Sequence, residues 1–390
     1  MKNYLFFLFS LIFVASVFLI PGCTPATPAQ TSAPVQTAPP PASDLKETGP
    51  KPAWQVEWDK TLVTARKEAK FVIYANIGKE TIEAWRKAFA QKYGIEAEFV
   101  AGRSTELAEK ALSERRAGLF MVDAFIGGAT TSLYLKKKAV TVSGSGIFLL
   151  PEVTEPSVWW EGKIPFLDSG SHILAFRASP NTPFVVNTNL VKPGEVTSYK
   201  DLLNPKWKGK IIINDPTVAG SGHDLFFLVS ANIYNLDYWK EMVKLEPVVN
   251  RDQRLPVEWV AHGKLAVGMG LKADVITEFE AAGAPLDSVL PREGTYITPG
   301  AGTFLLMDSM PHPQATRVFA NWLLSREGLE LMSRTQKVQS ARTDLPVDFL
   351  PKEEVRDPRG KYYSQHSEEV LLEKEKYMDI AREIFAPVMK

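Results

Sequence analysis

The segment that most narrows the possible folds runs from Phe71 to Gly128. Phe71-Val72-Ile73-Tyr74-Ala75 is short, β-branched and aromatic, the composition of a buried strand. From Glu80 to Tyr93, the residues Ile82, Trp85, Phe89 and Tyr93 recur at helical spacing, and Gly94 follows as a stop. Ile95 to Val100 reads as the next strand. Ser104 or Thr105 then caps a helix running through Leu107 and Leu112 to Gly118, and Met121 to Ile126 reads as a third strand. Strand, helix, strand, helix, strand at these intervals requires parallel pairing through helical crossovers, so the segment is α/β. In such sheets ligands bind beyond the carboxyl ends of the strands. That rule selects Asn76 and Gly78 after the first strand, Arg103 after the second and Gly127 after the third.

A second α/β stretch follows. Lys210 to Asn214 is its strand, Asp215 to Gly222 a Gly-rich turn, and a helix is expected from about His223 to Tyr234. Leu265 to Met269 and Thr303 to Met307 are further strands, and Phe319 to Met332 is one amphipathic helix. The Gly-rich turn has two readings. Its backbone N–H groups and the hydroxyls of Thr217 and Ser221 converge at a helix N-terminus, where an anion is favoured. Alternatively, Gly220 and Gly222 only make a tight connection. Composition does not choose between them. Lys79, Arg103, Arg251, Arg254 and Lys272 are candidate countercharges, each more often a solvated surface residue. The charged tail after Glu353 is helical in its second half and is expected to pack through Tyr377, Ile380, Ile384 and Phe385.

At 390 residues and 45% hydrophobic composition the chain has material for about two domains. Lys plus Arg and Asp plus Glu each number 45, which argues against the basic footprint of a nucleic-acid binder. The five histidines are scattered without metal-ligand spacing, and no Gly-x-Ser-x-Gly elbow, phosphate loop or dinucleotide fingerprint occurs. No cofactor or enzymatic chemistry is expected from these residues. The single cysteine, Cys23, excludes an internal disulfide.

Lys2 followed by an apolar run from Tyr4 to Ile20 has the organisation of an export signal. An uncleaved membrane anchor is the alternative, since about 18 apolar residues span a bilayer. Leu19-Ile20-Pro21-Gly22-Cys23 resembles the bacterial lipobox, in which the cysteine is lipidated and becomes the mature N-terminus. Residues 1–22 are then a signal peptide, Cys23 the lipid attachment, and 23–52 a Pro, Ala and Thr tether holding an exported protein to the membrane.

The stretch Ser198-Tyr199-Lys200-Asp201-Leu202-Leu203-Asn204-Pro205-Lys206-Trp207-Lys208-Gly209-Lys210-Ile211 resembles a hallmark of the ferric-iron-type extracellular solute-binding proteins of ABC importers. Phe89 to Ile95, Val185 to Thr188, Phe319 to Gly328 and Ala341 to Leu345 are similar to further motifs of that family. The resemblance implies a type 2 periplasmic-binding fold. Its two α/β lobes are joined by crossover strands near Phe184 to Asn187 and Thr295 to Gly300, with the solute trapped by hinge closure. Lobe I is expected over 53–183 and 297–334, and lobe II over 184–296 and 335–390. The implied partners are a small solute and a membrane ABC permease, with the protein acting as a monomer.

Several departures from the family bear on the solute. Gly268-Met269-Gly270-Leu271-Lys272 stands where ferric binders commonly carry adjacent tyrosines, and Asn76-Ile77-Gly78 where a histidine is often found. Fe(III) prefers phenolate and carboxylate oxygens. A small anion or an anionic metal chelate is therefore expected, held by Asn76, Gly78, Arg103, Gly127, Thr217, Gly220, Ser221, Gly222 and Lys272. Ferric iron is the alternative solute. An enzyme or ligand sensor on the same fold is the alternative from another class, although a thiamine-degrading enzyme of this fold would need a cleft cysteine.

Overall fold

The computed structural model describes residues 50–389. The expected signal segment, Cys23 and most of the tether lie outside them. Among the described residues no helix is long and apolar enough to cross a membrane.

Helix α1 (Ala53–Glu68) leads into β1 (Lys70–Ala75), α2 (Lys79–Tyr93), β2 (Glu96–Ala101), α3 (Ser104–Arg116), β3 (Ala124–Gly127) and α4 (Ala129–Lys137). The short elements β4 (Thr141–Val142), α5 (Pro151–Thr154), β5 (Leu174–Ala175) and β6 (Ser179–Pro180) precede β7 (Phe184–Asn187). Then come β8 (Ile211–Asn214), α6 (Ser221–Phe227), α7 (Leu236–Lys244), β9 (Val248–Asn250) and α8 (Leu255–Ala261). After β10 (Val267–Met269), α9 (Ala273–Ala281) and β11 (Leu286–Val289), the chain returns through β12 (Thr295–Thr298) and β13 (Thr303–Met307). Helices α10 (Pro313–Leu324) and α11 (Arg326–Gln336), strand β14 (Tyr362–Ser364) and helix α12 (Glu368–Phe385) complete it.

These strands form two main sheets. The first has the order β2-β1-β3-β13-β4, with β5 also on β13; β1 runs parallel to β2 and β3, and β13 is antiparallel to β3. The second has the order β11-β7-β10-β8-β9, with β8 parallel to β9 and β10. A third, small sheet of order β14-β12-β6 joins them. The architecture is α/β with two lobes. Helices on the first sheet close over Phe71, Trp85, Phe89, Phe319 and Trp322, with Phe71 and Phe319 ring centroids 4.9 Å apart. The second sheet has its own cluster around Phe184, Tyr199, Phe226 and Trp239. Burying each large apolar side chain contributes about 1.5–3 kcal/mol, so two independent aromatic clusters are what allow two sheets to stand as separate layers.

Several expectations are corrected. Strand β3 begins at Ala124, because Met121 is 54% exposed and belongs to the preceding turn. The expected helix from Phe319 to Met332 is two helices, since the Ser325 side chain accepts from Gly328 N and starts α11 afresh. Helix α6 begins at Ser221 and passes into a π turn over Leu228–Ile233. Strand β7 is not a connector but an interior strand of the second sheet; the first connection is β6, paired antiparallel to β12. The tail is not confined to the second lobe either. Val338, Ala341 and Leu345 pack in the first core, and Leu371 of α12 joins a cluster with Tyr74, Phe125 and Leu305. Ala381 and Phe385 pack in the second core, with Tyr377, Ile380 and Ile384 against it.

Candidate functional site

Parallel pairing of β1 with β2 and β3 brings three strand ends to one edge. There the Asn76 side-chain amide donates to Ser104 Oγ at 3.0 Å, and Gly128 N donates to the same oxygen at 3.4 Å. Ser104 thereby ties the ends of β1, β2 and β3 together. It was expected as a helix cap, but the N-cap of α3 is Arg103, and no side chain caps that helix. Asn76, Gly78 and Gly127 lie within this edge, Gly78 as the N-cap of α2 and Gly127 as the buried last residue of β3. The Arg103 side chain is 85% exposed and reaches only Glu106, at 3.7 Å.

On the second sheet β8 and β10 are parallel neighbours, so their ends also meet. Ser221 Oγ donates to Gly270 O at 2.6 Å, and Gly222 N to Asn214 Oδ1 at 3.3 Å. A Cβ on Gly222 would clash with the Asn214 carbonyl, so this glycine is required by close approach of the backbone. Thr217 is 5% exposed, and its N–H and hydroxyl both donate to Asp215 Oδ1, at 2.9 and 2.7 Å. The hydroxyls of Thr217 and Ser221 therefore do not converge on a shared outward point, as the turn had suggested. They hold the turn closed, while Gly220 is the uncapped N-cap of α6. Lys272 is the N-cap of α9; its ammonium pairs with Asp274 at 2.8 Å and its side chain is half exposed. Arg251 pairs with Asp215 at 3.2 Å, and Arg254 takes Glu278 in a two-pronged pair at 2.7 and 2.8 Å.

The helices at the first-sheet edge share one property. None of α2, α3 and α4 has a side-chain acceptor on its first N–H groups, whereas on the second sheet Asn214 accepts from Gly222 N of α6 and Asp274 from Val275 N of α9. Elsewhere α7, α11 and α12 are closed by Asn235, Ser325 and Ser367. A helix N-terminus left open carries about half a positive charge and several free donors.

Sequence reasoning missed Arg177, which lies between β5 and β6 with its side chain only 19% exposed. Its Nε donates to Ser179 Oγ at 3.0 Å, and Nη2 stands 3.5 Å from Glu354 Oε2. A Cβ on Gly300 would come within 2.9 Å of Nη1, and Gly300 has φ +53°. A Cβ on Gly128 would in turn lie 3.7 Å from the Gly300 carbonyl, so Gly300 neighbours both Arg177 and the start of α4. The signal was present, an arginine inside the apolar run Ile173-Leu174-Ala175-Phe176-Arg177-Ala178. Among the described residues, no three His, Cys, Asp or Glu side chains converge as a metal site would need.

Residues 71–335 match the family model described as bacterial extracellular solute-binding protein. An uncharacterized protein of Haemophilus influenzae is 26% identical over 275 residues, covering 69% of this chain and 76% of the relative. The solved structure of Trichodesmium IdiA (FutA), in complex with iron and citrate, superposes with a TM-score of 0.61 at 18% identity, covering 82% of this chain and 99% of that one. The periplasmic binding protein AfuA of Actinobacillus pleuropneumoniae, with fructose-6-phosphate bound, gives 0.56 at 21% identity, covering 80% and 98%. At these identities the two structures speak to the fold, and both carry it over nearly their whole length. With two-thirds of its length inside the family match and strand-end edges on two lobes, the chain belongs to the bacterial extracellular solute-binding proteins, which bind small solutes and deliver them to ABC permeases.

Proposed function

We propose that the protein is a membrane-tethered, solute-binding subunit of an ABC importer that captures a small anionic solute, or an anionic metal chelate, by closing its two lobes around it. The observation that carries this reading is the set of three uncapped helix N-termini at the first-sheet edge, those of α2, α3 and α4. Such termini offer convergent N–H donors and a favourable potential for oxyanions, and they disfavour a bare cation. A solute touching both edges only when they approach would shift the population toward the closed form. Micromolar binding needs about 8 kcal/mol, within reach of a few charge-assisted hydrogen bonds. Asn76, Gly78, Gly127, Gly220, Ser221, Gly222 and Lys272 remain the contact set, with Thr217 supporting the turn behind them. Arg103 stands at the rim.

The test is a thermal-shift screen of phosphonates, phosphate esters and carboxylates, since a ligand at 100 times its dissociation constant stabilises by about 2.7 kcal/mol. A bulky acidic residue at Ser221 should abolish the shift; if it survives, the second-sheet edge is not the site. The ferric reading draws support from the likeness to IdiA, whose structure holds iron and citrate. A strong visible charge-transfer band with ferric salt alone would restore it, whereas a response only to ferric citrate would favour the chelate.

A further inference from the structure

Arg177 opens onto a cavity of about 140 Å³ walled by Trp160, Lys163, Phe166, Tyr362 and His366. A single water needs only about 10–15 Å³ of such space, so this one has room for a headgroup and the carbons attached to it. One wall is aromatic: Trp160 meets Tyr362 edge to face at 6.1 Å, and the Arg356 guanidinium covers Trp160 at 4.5 Å.

The guanidinium at the base is incompletely matched. Neither Nη makes a hydrogen bond to the described residues, and the nearest carboxylate, Glu354, stands at 3.5 Å with Oε2 itself lacking a hydrogen-bond partner. Burial lowers the Arg177 pKa and raises that of Glu354, each opposed by the other's charge, and the pair is not closed by a hydrogen bond. Taking a guanidinium out of water costs several kcal/mol unless charge and hydrogen bonds replace the solvent. Arginine presents its donors as a planar fork that fits a carboxylate or phosphate oxygen pair.

We infer that this cavity receives the oxyanion group of the solute on Arg177, and that the solute carries a flat or apolar body lying against the aromatic wall that Trp160 and Tyr362 form together. The inference rests on the anionic-solute reading and narrows it. Gly300 neighbours both the Arg177 guanidinium and Gly128 at the open start of α4, which places the two features on the same side of the first lobe. Lys163, with its side chain 68% exposed, lies at the mouth and adds attraction without a structural task beyond its 3.7 Å pair with Glu161.

The test measures binding of phenylphosphonate, methylphosphonate and inorganic phosphate by calorimetry. Phenylphosphonate should bind most tightly. R177Q should weaken it about tenfold or more, the loss expected when a charge-assisted pair is removed. K163E, at an exposed position that leaves folding intact, should weaken all three probes, and W160A should remove the preference for the phenyl group. Wild-type affinity for phenylphosphonate in both R177Q and K163E would overturn the inference. If R177Q fails to fold, K163E and W160A decide it alone. Should an acidic residue at Ser221 abolish oxyanion binding while Arg177 and Lys163 variants retain it, the anionic reading stands and this inference falls. No response of the unaltered protein to any oxyanion sinks both.

Discussion

Ser104 is a small side chain with a large positional consequence. Its hydroxyl oxygen is the one atom shared by the ends of three strands. S104A should cost about 1 kcal/mol of stability, the usual worth of such hydrogen bonds, and should weaken solute binding by loosening the edge. Denaturant titration reads the first effect and calorimetry the second; an unchanged affinity would detach the edge from the site. A second residue-scale feature is the group formed by buried His366 and Lys374 with partly buried Asp224. Lys374 Nζ is 2.7 Å from Asp224, and His366 Nε2 is 3.8 Å from it. Burial lowers the His366 pKa below 6.5, aided by Lys374 and opposed by Asp224. Burial pushes Asp224 up, but Lys374 and His366 outweigh it and hold the carboxyl below 3.8. Both folded values lie below the unfolded ones, so the unfolded chain binds more protons on acidification. The stability they contribute is fully present above pH 6.5, falls as His366 is titrated, and falls again below pH 3.8. H366Q should flatten the first part of that fall in melting temperatures measured against pH, leaving the second in place.

At the scale of elements, the strands and helices from β1 to β3 were legible because each carries its own period and its own stop, Gly94 being one example, whereas α4 was not read from the sequence. What the sequence did not show were the places where distant residues set a boundary. Ser325 divides what periodicity reads as one helix, since both halves present apolar residues to the same core. Arg177 escaped notice because its meaning depends on Gly300, Glu354 and Gly128, all far away along the chain. Asn321 shows the same dependence. Fully buried on α10, it accepts from Leu149 N at 2.7 Å and Leu150 N at 3.2 Å and donates to Ile147 O at 2.9 Å, so one amide clamps an irregular segment. N321A leaves buried backbone groups unpaired and should cost about 1–3 kcal/mol per orphaned group, the large end of single-site effects. Equilibrium unfolding checks it, and a loss under half a kcal/mol would show that water takes over the amide's role.

For the whole molecule the notable element is α12, because it touches both cores. Leu371 packs beneath the first sheet, Lys136 reaches Glu368 at 2.6 Å, and Lys137 reaches Glu375 at 3.1 Å. Further along, His223 Nε2 meets Lys374 O at 3.0 Å, and Phe385 is buried beside Trp239. Two aromatic cores pinned by one helix should unfold as a unit. Removal of 367–390 should split the calorimetric transition into two or broaden it well beyond two-state width. A single sharp transition at the original temperature would assign the helix no such role. The tail's division between the lobes had no counterpart in local sequence, since a helix carries its apolar period whichever surface it covers. Strand β14 adds a mechanical consequence. It lies parallel against β12, so the joint is a ribbon of three hydrogen-bonded strands where the chain needed only β6 and β12 to pass from lobe to lobe. The proposed closure would therefore have to flex a joint of three strands rather than two, so breaking the β14–β12 pairing should leave the lobes easier to move.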